Sequence, residues 1–85
     1  MNGILWHNRA RKQIKKIPVH YREAILESVD ELIVFPKCEQ IDITEKNHKH
    51  DYRLRISRYR VLFNNANVAK IIEIQEVKKK YERTY

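Results

Sequence analysis

The chain has one glycine, two prolines and one cysteine among 85 residues, and no apolar run approaches the ~18 residues of a membrane span. Scarce Gly and Pro, with 42% hydrophobic and 34% charged residues, exclude a disordered or low-complexity chain and leave a compact globular one. A lone thiol, Cys38, cannot close an internal disulfide, which fits a reducing cytoplasm. Arg9, Arg11 and Lys12 interrupt the N-terminal stretch before a secretory apolar segment can form, so a cytoplasmic protein with no membrane partner is expected. A dense carboxylate cluster of the kind two-metal catalysis uses is also missing, and His48 and His50, near Cys38, fit no structural-zinc spacing. No metal or cofactor is expected. No repeat or linker divides the sequence, so residues 1–85 read as one domain, near the small end of what one core supports.

What is abundant is positive charge. The net charge of +7 and the pI of about 9.7 favour nucleic acid or an acidic protein as partner. Residues 1–36 carry six Lys/Arg against four Asp/Glu, and residues 37–85 carry twelve against seven, so the second half is the basic half. Its centre is Asp51 to Phe63, DYRLRISRYRVLF, where Arg53, Arg55, Arg58 and Arg60 interleave with Tyr52, Leu54, Ile56, Tyr59 and Val61. Alternation of this kind marks half-buried strands with one face in a core and the other displaying guanidinium groups. Arginine forms bidentate contacts with phosphate, and several on a rigid sheet make a preorganised polyanion surface. A solvated arginine face is the commoner use of such a pattern, and Lys78, Lys79 and Lys80 on their own read as a solubilising run.

Ile4 to Trp6 suggest an opening strand. Asn8 is a candidate N-cap for a helix from Arg9 to about Ile17, with Ala10, Ile14 and Ile17 as its apolar stripe, and Pro18 stops it. A second helix is expected from about Val19 to Val34, burying Tyr21, Ile25, Val29, Leu32 and Ile33, and closed by Phe35-Pro36. Thereafter the period is two: a weak strand or lead-in at Gln40–Thr44, then strands at Tyr52–Ile56, Tyr59–Asn64 and Val68 to about Val77. Turns fall at Ser57-Arg58 and at Asn64-Asn65-Ala66-Asn67, the latter favoured because Asn tolerates positive φ. The expected fold is α+β, β-α-α-β-β-β, a twisted antiparallel sheet with an N-terminal helical hairpin on one face.

The opening ILWHNRARKQIKKIP, the helix ending VFP, the strand pair DYRLRISRYRVLFN and the tail KIIEIQEVKKKYERTY together resemble the RelE/ParE superfamily of bacterial type II toxins, over almost the whole chain. The resemblance is to the RelE-like branch, mRNA interferases that cleave messenger RNA in the ribosomal A site; the ParE branch inhibits DNA gyrase without those nuclease residues. It implies a toxin held by an antitoxin in a hetero-oligomer, with ribosome and mRNA as targets. Carried over by position, it implies Arg60, Lys79 and Tyr85 as catalytic residues and Arg53 and Arg55 as RNA-binding ones; the neighbouring cations Arg58, Lys78 and Lys80 are further RNA-binding candidates. Arg stands here for Lys on the second strand, and Lys for Arg at position 79.

The chemistry implied needs no metal. RNA supplies its own nucleophile, the 2′-OH, and the protein must take its proton, stabilise charge gathering on the phosphoryl oxygens, and protonate the 5′-oxygen that leaves. Arg60 and Lys79 suit charge stabilisation, and Tyr85 suits the base or a stacking platform. A free tyrosine, with a pKa of about 10, is a poor base at neutral pH, but neighbouring cations favour the phenolate. The alternatives left open are a gyrase inhibitor without catalysis and a plain basic RNA-binding domain.

Overall fold

A computed structural model describes residues 1–38, 42–45, 51–66 and 69–79. The elements are β1 (Gly3–Trp6), α1 (Asn8–Ile14), α2 (Val19–Asp30) with a 3₁₀ turn over Glu31–Val34, β2 (Asp42–Glu45), β3 (Asp51–Ile56), β4 (Tyr59–Ala66) and β5 (Ile71–Lys79). They build two helices on one face of a five-stranded sheet of order β1-β5-β4-β3-β2.

The helical stripes pack as their spacing requires. Ala10, Ile14 and Ile17 are buried along the α1 side, and Ile25, Val29 and Leu32 along the α2 side. Both helices are shorter than the periodicity predicts. The chain leaves α1 after Ile14 in a turn at Lys15 and Lys16, with the Ile17 N–H donating to the Ile14 carbonyl (3.2 Å). The last turn of the second helix tightens to 3₁₀ before Phe35, whose ψ of 138° is the extended geometry a following proline imposes. Asn2 caps this end: its Nδ2 donates to the carbonyls of Leu32 (3.1 Å) and Phe35 (2.9 Å), and its N–H to that of Ile33 (2.8 Å). Carbonyls that a helix terminus leaves without intrahelical partners are thus satisfied from the chain's N-terminus.

β3, β4 and β5 form the expected antiparallel meander, and the segment read as a weak strand or lead-in adds a fourth strand, β2, antiparallel to β3. β1 departs from the expectation: it pairs parallel with β5, Gly3 to Trp6 alongside Ile71 to Ile74, so the sheet is mixed. The helical hairpin carries the chain from one sheet edge to the other, and no tight turn then dictates the direction of β1 relative to its neighbour. The second hairpin also differs. Asn64 and Asn65 continue β4, and Lys70 (φ 56°) takes the left-handed conformation before β5 opens at Ile71, as Ser57 (φ 54°) does in the first hairpin. Gln40, Asn67 and Val68 lie outside the described residues.

Leu54, Val61, Phe63, Ile72 and Ile74 fill the helix-facing side of the sheet. Phe35 packs edge-on against Tyr52 (4.9 Å) and Phe63 (5.5 Å), so the segment after the second helix is anchored over β3 and β4. This leaves the opposite side of β2–β5 uncovered by any described helix, and the basic residues lie there.

Candidate nucleic-acid interface

Strand parity sorts the arginines. Leu54 points into the core, which turns Arg53 and Arg55 outward; Tyr59 and Val61 are buried, which turns Arg60 and Leu62 outward beside them. The register then aligns one residue from each of four strands in a row: Asp42 on β2, Arg55 on β3, Arg60 on β4 and Lys78 on β5. The adjacent row is Thr44, Arg53, Leu62 and Glu76.

The two ends of the cationic row are occupied and its centre is not. Arg55 Nε lies 3.7 Å from Asp42 Oδ2, and Lys78 Nζ lies 3.8 Å from Glu76 Oε2. Glu76 Oε1 also reaches Arg9 Nη1 at 3.6 Å, tying α1 to the sheet. Arg60, half-buried between two cations, has its Nε shielded from solvent and donates to no acceptor among the described residues. Like charges directly opposite one another on a sheet cost stability, each pair by roughly 0.2–1 kcal/mol. The exposed Asp42 and the half-buried Glu76 offset little of this, because ion pairs open to solvent contribute about 0–1 kcal/mol. An anion seated on Arg60 would draw all three cations to one ligand.

A bulge in β5 decides which lysine joins the row. Leu62 pairs with Glu76 but Phe63 pairs with Ile74, so Gln75 is an extra residue without a partner on β4. Before it, Ile72 and Ile74 face the core; after it, Val77 does, and Glu76 and Lys78 turn outward. The Val77 N–H donates to Gln13 Oε1 of α1 at 2.7 Å.

The structure therefore brings together Arg53, Arg55, Arg60 and Lys78. It does not bring Lys79 to them: Lys79 is exposed opposite Tyr59, on the helix-side parity. Arg58, in the hairpin turn, has its guanidinium carbon 5.5 Å from the centre of the Tyr21 ring, packed toward α2 and not along the row. Lys80 and Tyr85 lie outside the described residues. Sequence reasoning missed Asp42, Glu76, Gln13 and the bulge. One signal was present, since the apolar residues Ile72, Ile74 and Val77 step by two and then by three.

Elsewhere, a groove of about 320 Å³ runs beside α1, lined by Trp6, Ile14 and Leu26 with Arg11, Lys12 and Lys15 around it. Burial, and then the charge of Glu31, push the Cys38 thiol above its ordinary pKa. No three His, Cys, Asp or Glu side chains converge as metal ligands among the described residues. No helix among them is long and apolar enough to cross a membrane.

Residues 4–81 match the family model for the ParE toxin of the type II toxin-antitoxin system, parDE. The chain belongs to this toxin family. The solved structures it resembles show that this ParE-family toxin has the RelE fold. RelE in the archaeal RelE-RelB complex from Pyrococcus horikoshii superposes with a TM-score of 0.83 at 23% identity, covering 96% of this chain and 98% of that one. The isolated Escherichia coli RelE toxin gives 0.81 at 20% identity, covering 99% and 88%. The toxin-antitoxin complex RelBE2 from Mycobacterium tuberculosis gives 0.73 at 15% identity, covering 92% and 96%. No curated protein matches in sequence. The toxin is thus a type II toxin of the RelE/ParE superfamily, in line with the resemblance carried by its strand pair and tail.

Proposed function

We propose that this toxin binds single-stranded RNA along the outer face of its sheet and cleaves messenger RNA on the ribosome. The observation that carries this reading is Arg60, half-buried between Arg55 and Lys78, with an Nε that meets no acceptor among the described residues. A phosphodiester placed there would receive Arg60 and Lys78 on its non-bridging oxygens, where negative charge gathers as the 2′-OH attacks. Arg53 and Arg55 would hold the neighbouring backbone, one of them beside the 5′-oxygen, which leaves as the P–O5′ bond breaks to give the 2′,3′-cyclic phosphate and takes its proton from water. The charge-stabilising role that the resemblance gives Lys79 passes to Lys78, which shares a face with Arg60. The resemblance gives Tyr85 the remaining role, as proton acceptor or as a base-stacking ring.

The proposed partner in the cytoplasm is an antitoxin. The groove beside α1, with an apolar floor of Trp6, Ile14 and Leu26 and a basic surround, suits an amphipathic segment with acidic residues on its polar face. A second reading is favoured by the matching family model, which is that of ParE: inhibition of DNA gyrase with no catalysis. Toeprinting of a translated message with purified toxin tests the first reading. Cleavage at A-site codons is expected; intact message together with inhibited supercoiling would establish the second.

A further inference from the structure

We infer that Gln13 is a positioning residue: by holding the β5 bulge it makes Lys78, and not Lys79, the lysine that stands beside Arg60. The inference rests on the reading of the outer sheet face as a phosphate-binding surface. β1 stops at Trp6, level with Ile74, and beyond this point no strand among the described residues flanks β5 on its β1 side. α1 lies there instead, and Gln13 offers its side-chain oxygen to the Val77 N–H at 2.7 Å.

Two interactions favour the bulged register. Val77 is 3% exposed, so its side chain joins the core only because Gln75 has been looped out of the pairing. Its N–H, which lacks a strand partner on that side, is satisfied by Gln13. A regular continuation of the Ile72, Ile74 alternation would instead aim Glu76 and Lys78 at the helices and expose Val77 and Lys79 on the outer face. In that register Val77 would stand opposite Arg60, with Lys79 diagonally beyond it on the same face, so which lysine lies nearest Arg60 is set by a glutamine on another element. Removing its acceptor leaves a shielded N–H unmet and takes away the contact that opposes the alternative register. Gln13 itself lies on the helix side of the sheet, so it acts through Lys78 and does not touch the proposed RNA.

The test combines amide exchange with the salt dependence of binding to a single-stranded RNA oligonucleotide blocked at its 2′-oxygens against cleavage. In the otherwise unaltered toxin, Lys78→Ala should reduce the slope of log affinity against log salt by about 0.7, the share of one phosphate contact, and Lys79→Ala should leave it unchanged. In a Gln13→Leu background the two lysine variants should converge, and the Val77 amide should exchange roughly tenfold faster or more. Gln13→Glu keeps an acceptor oxygen and should restore both. A larger effect of Lys79→Ala than of Lys78→Ala overturns the proposal without any Gln13 variant having to fold. An unchanged Val77 exchange rate in Gln13→Leu overturns it as well. If Arg60→Ala also leaves the slope untouched, the phosphate-binding reading fails, and Val77 exchange alone then decides the role of Gln13.

Discussion

Arg60 occupies a position that folding alone does not reward. Its cross-strand neighbours are cations and its Nε meets no acceptor among the described residues, so Arg60→Ala trades lost packing of the methylene stem against relieved repulsion. Its unfolding free energy in urea should stay within about 1 kcal/mol of the parent. Cleavage of ribosome-bound message should slow by roughly 10² to 10⁴-fold, because a group aimed at developing charge has been removed. Parental cleavage by this variant would remove Arg60 from the site. Tyr85→Phe, which keeps the ring and loses the phenol, should slow cleavage over a similar range of roughly 10² to 10⁴-fold if Tyr85 moves the proton. Full activity in Tyr85→Phe with loss in Tyr85→Ala would make it a stacking platform instead. At Cys38, burial and Glu31 raise the thiol above its ordinary 9.0, so the folded protein resists its ionisation. The stability contributed by the neutral thiol is complete below the unfolded value and is lost as pH rises through the folded one. Iodoacetamide should therefore alkylate Cys38 more slowly in the folded toxin than in the urea-unfolded chain at the same pH. The arginines of the outer face were legible as alternation, because parity within one strand is local information. Lys78 was legible only as one of three consecutive lysines, and its place beside Arg60 was not, because its orientation depends on the bulge in β5.

At the scale of elements, the two hairpins depend on residues that tolerate their geometry poorly. Ser57 and Lys70 adopt φ of 54° and 56°, a region that costs a residue with a Cβ roughly 1–2 kcal/mol. Part of that gain is offset by the added freedom of glycine in the unfolded chain, so Ser57→Gly and Lys70→Gly should each raise stability by up to about 1 kcal/mol. A β-branched residue at position 57 should lower it. Midpoints of urea unfolding separate the outcomes, and a destabilised Lys70→Gly would show that its side chain does more than tolerate the turn. The helical stripes were legible from spacing, since Ala10, Ile14 and Ile17, then Ile25, Val29 and Leu32, each repeat along one buried face. The asparagine-rich turn misled, because Asn64 and Asn65 had better use as pairing partners of Glu73 and Ile72 than as turn residues. β1 as a parallel edge was illegible for a different reason: its partner stands almost the whole chain away, and no local pattern encodes such a pairing.

The whole molecule carries positive charge on two sides. Arg11, Lys12 and Lys15 surround the apolar groove by α1, whereas Arg53, Arg55, Arg60 and Lys78 lie across the far face of the sheet. The two surfaces are built on different elements, the first on α1 and α2 and the second on β3, β4 and β5, and they adjoin where Arg9 and Gln13 of α1 reach Glu76 and Val77 of β5. Binding of an antitoxin to one and of RNA to the other should therefore be separable by mutation: Lys12→Ala with Lys15→Ala should weaken capture of the antitoxin, and Arg55→Ala should flatten the salt slope for RNA by about 0.7. Such a surface supplies charge but little that would orient a flexible message for in-line attack. The ribosome would hold the message extended, and effective concentration gained that way is worth several kcal/mol of barrier. Purified toxin should accordingly cleave message on programmed ribosomes far faster than the same message free in solution, as read by toeprinting at matched toxin concentration. Equal rates on naked RNA would overturn ribosome dependence and leave a free ribonuclease. No cleavage in either case, with supercoiling blocked, would mean that the same cationic row serves a protein target.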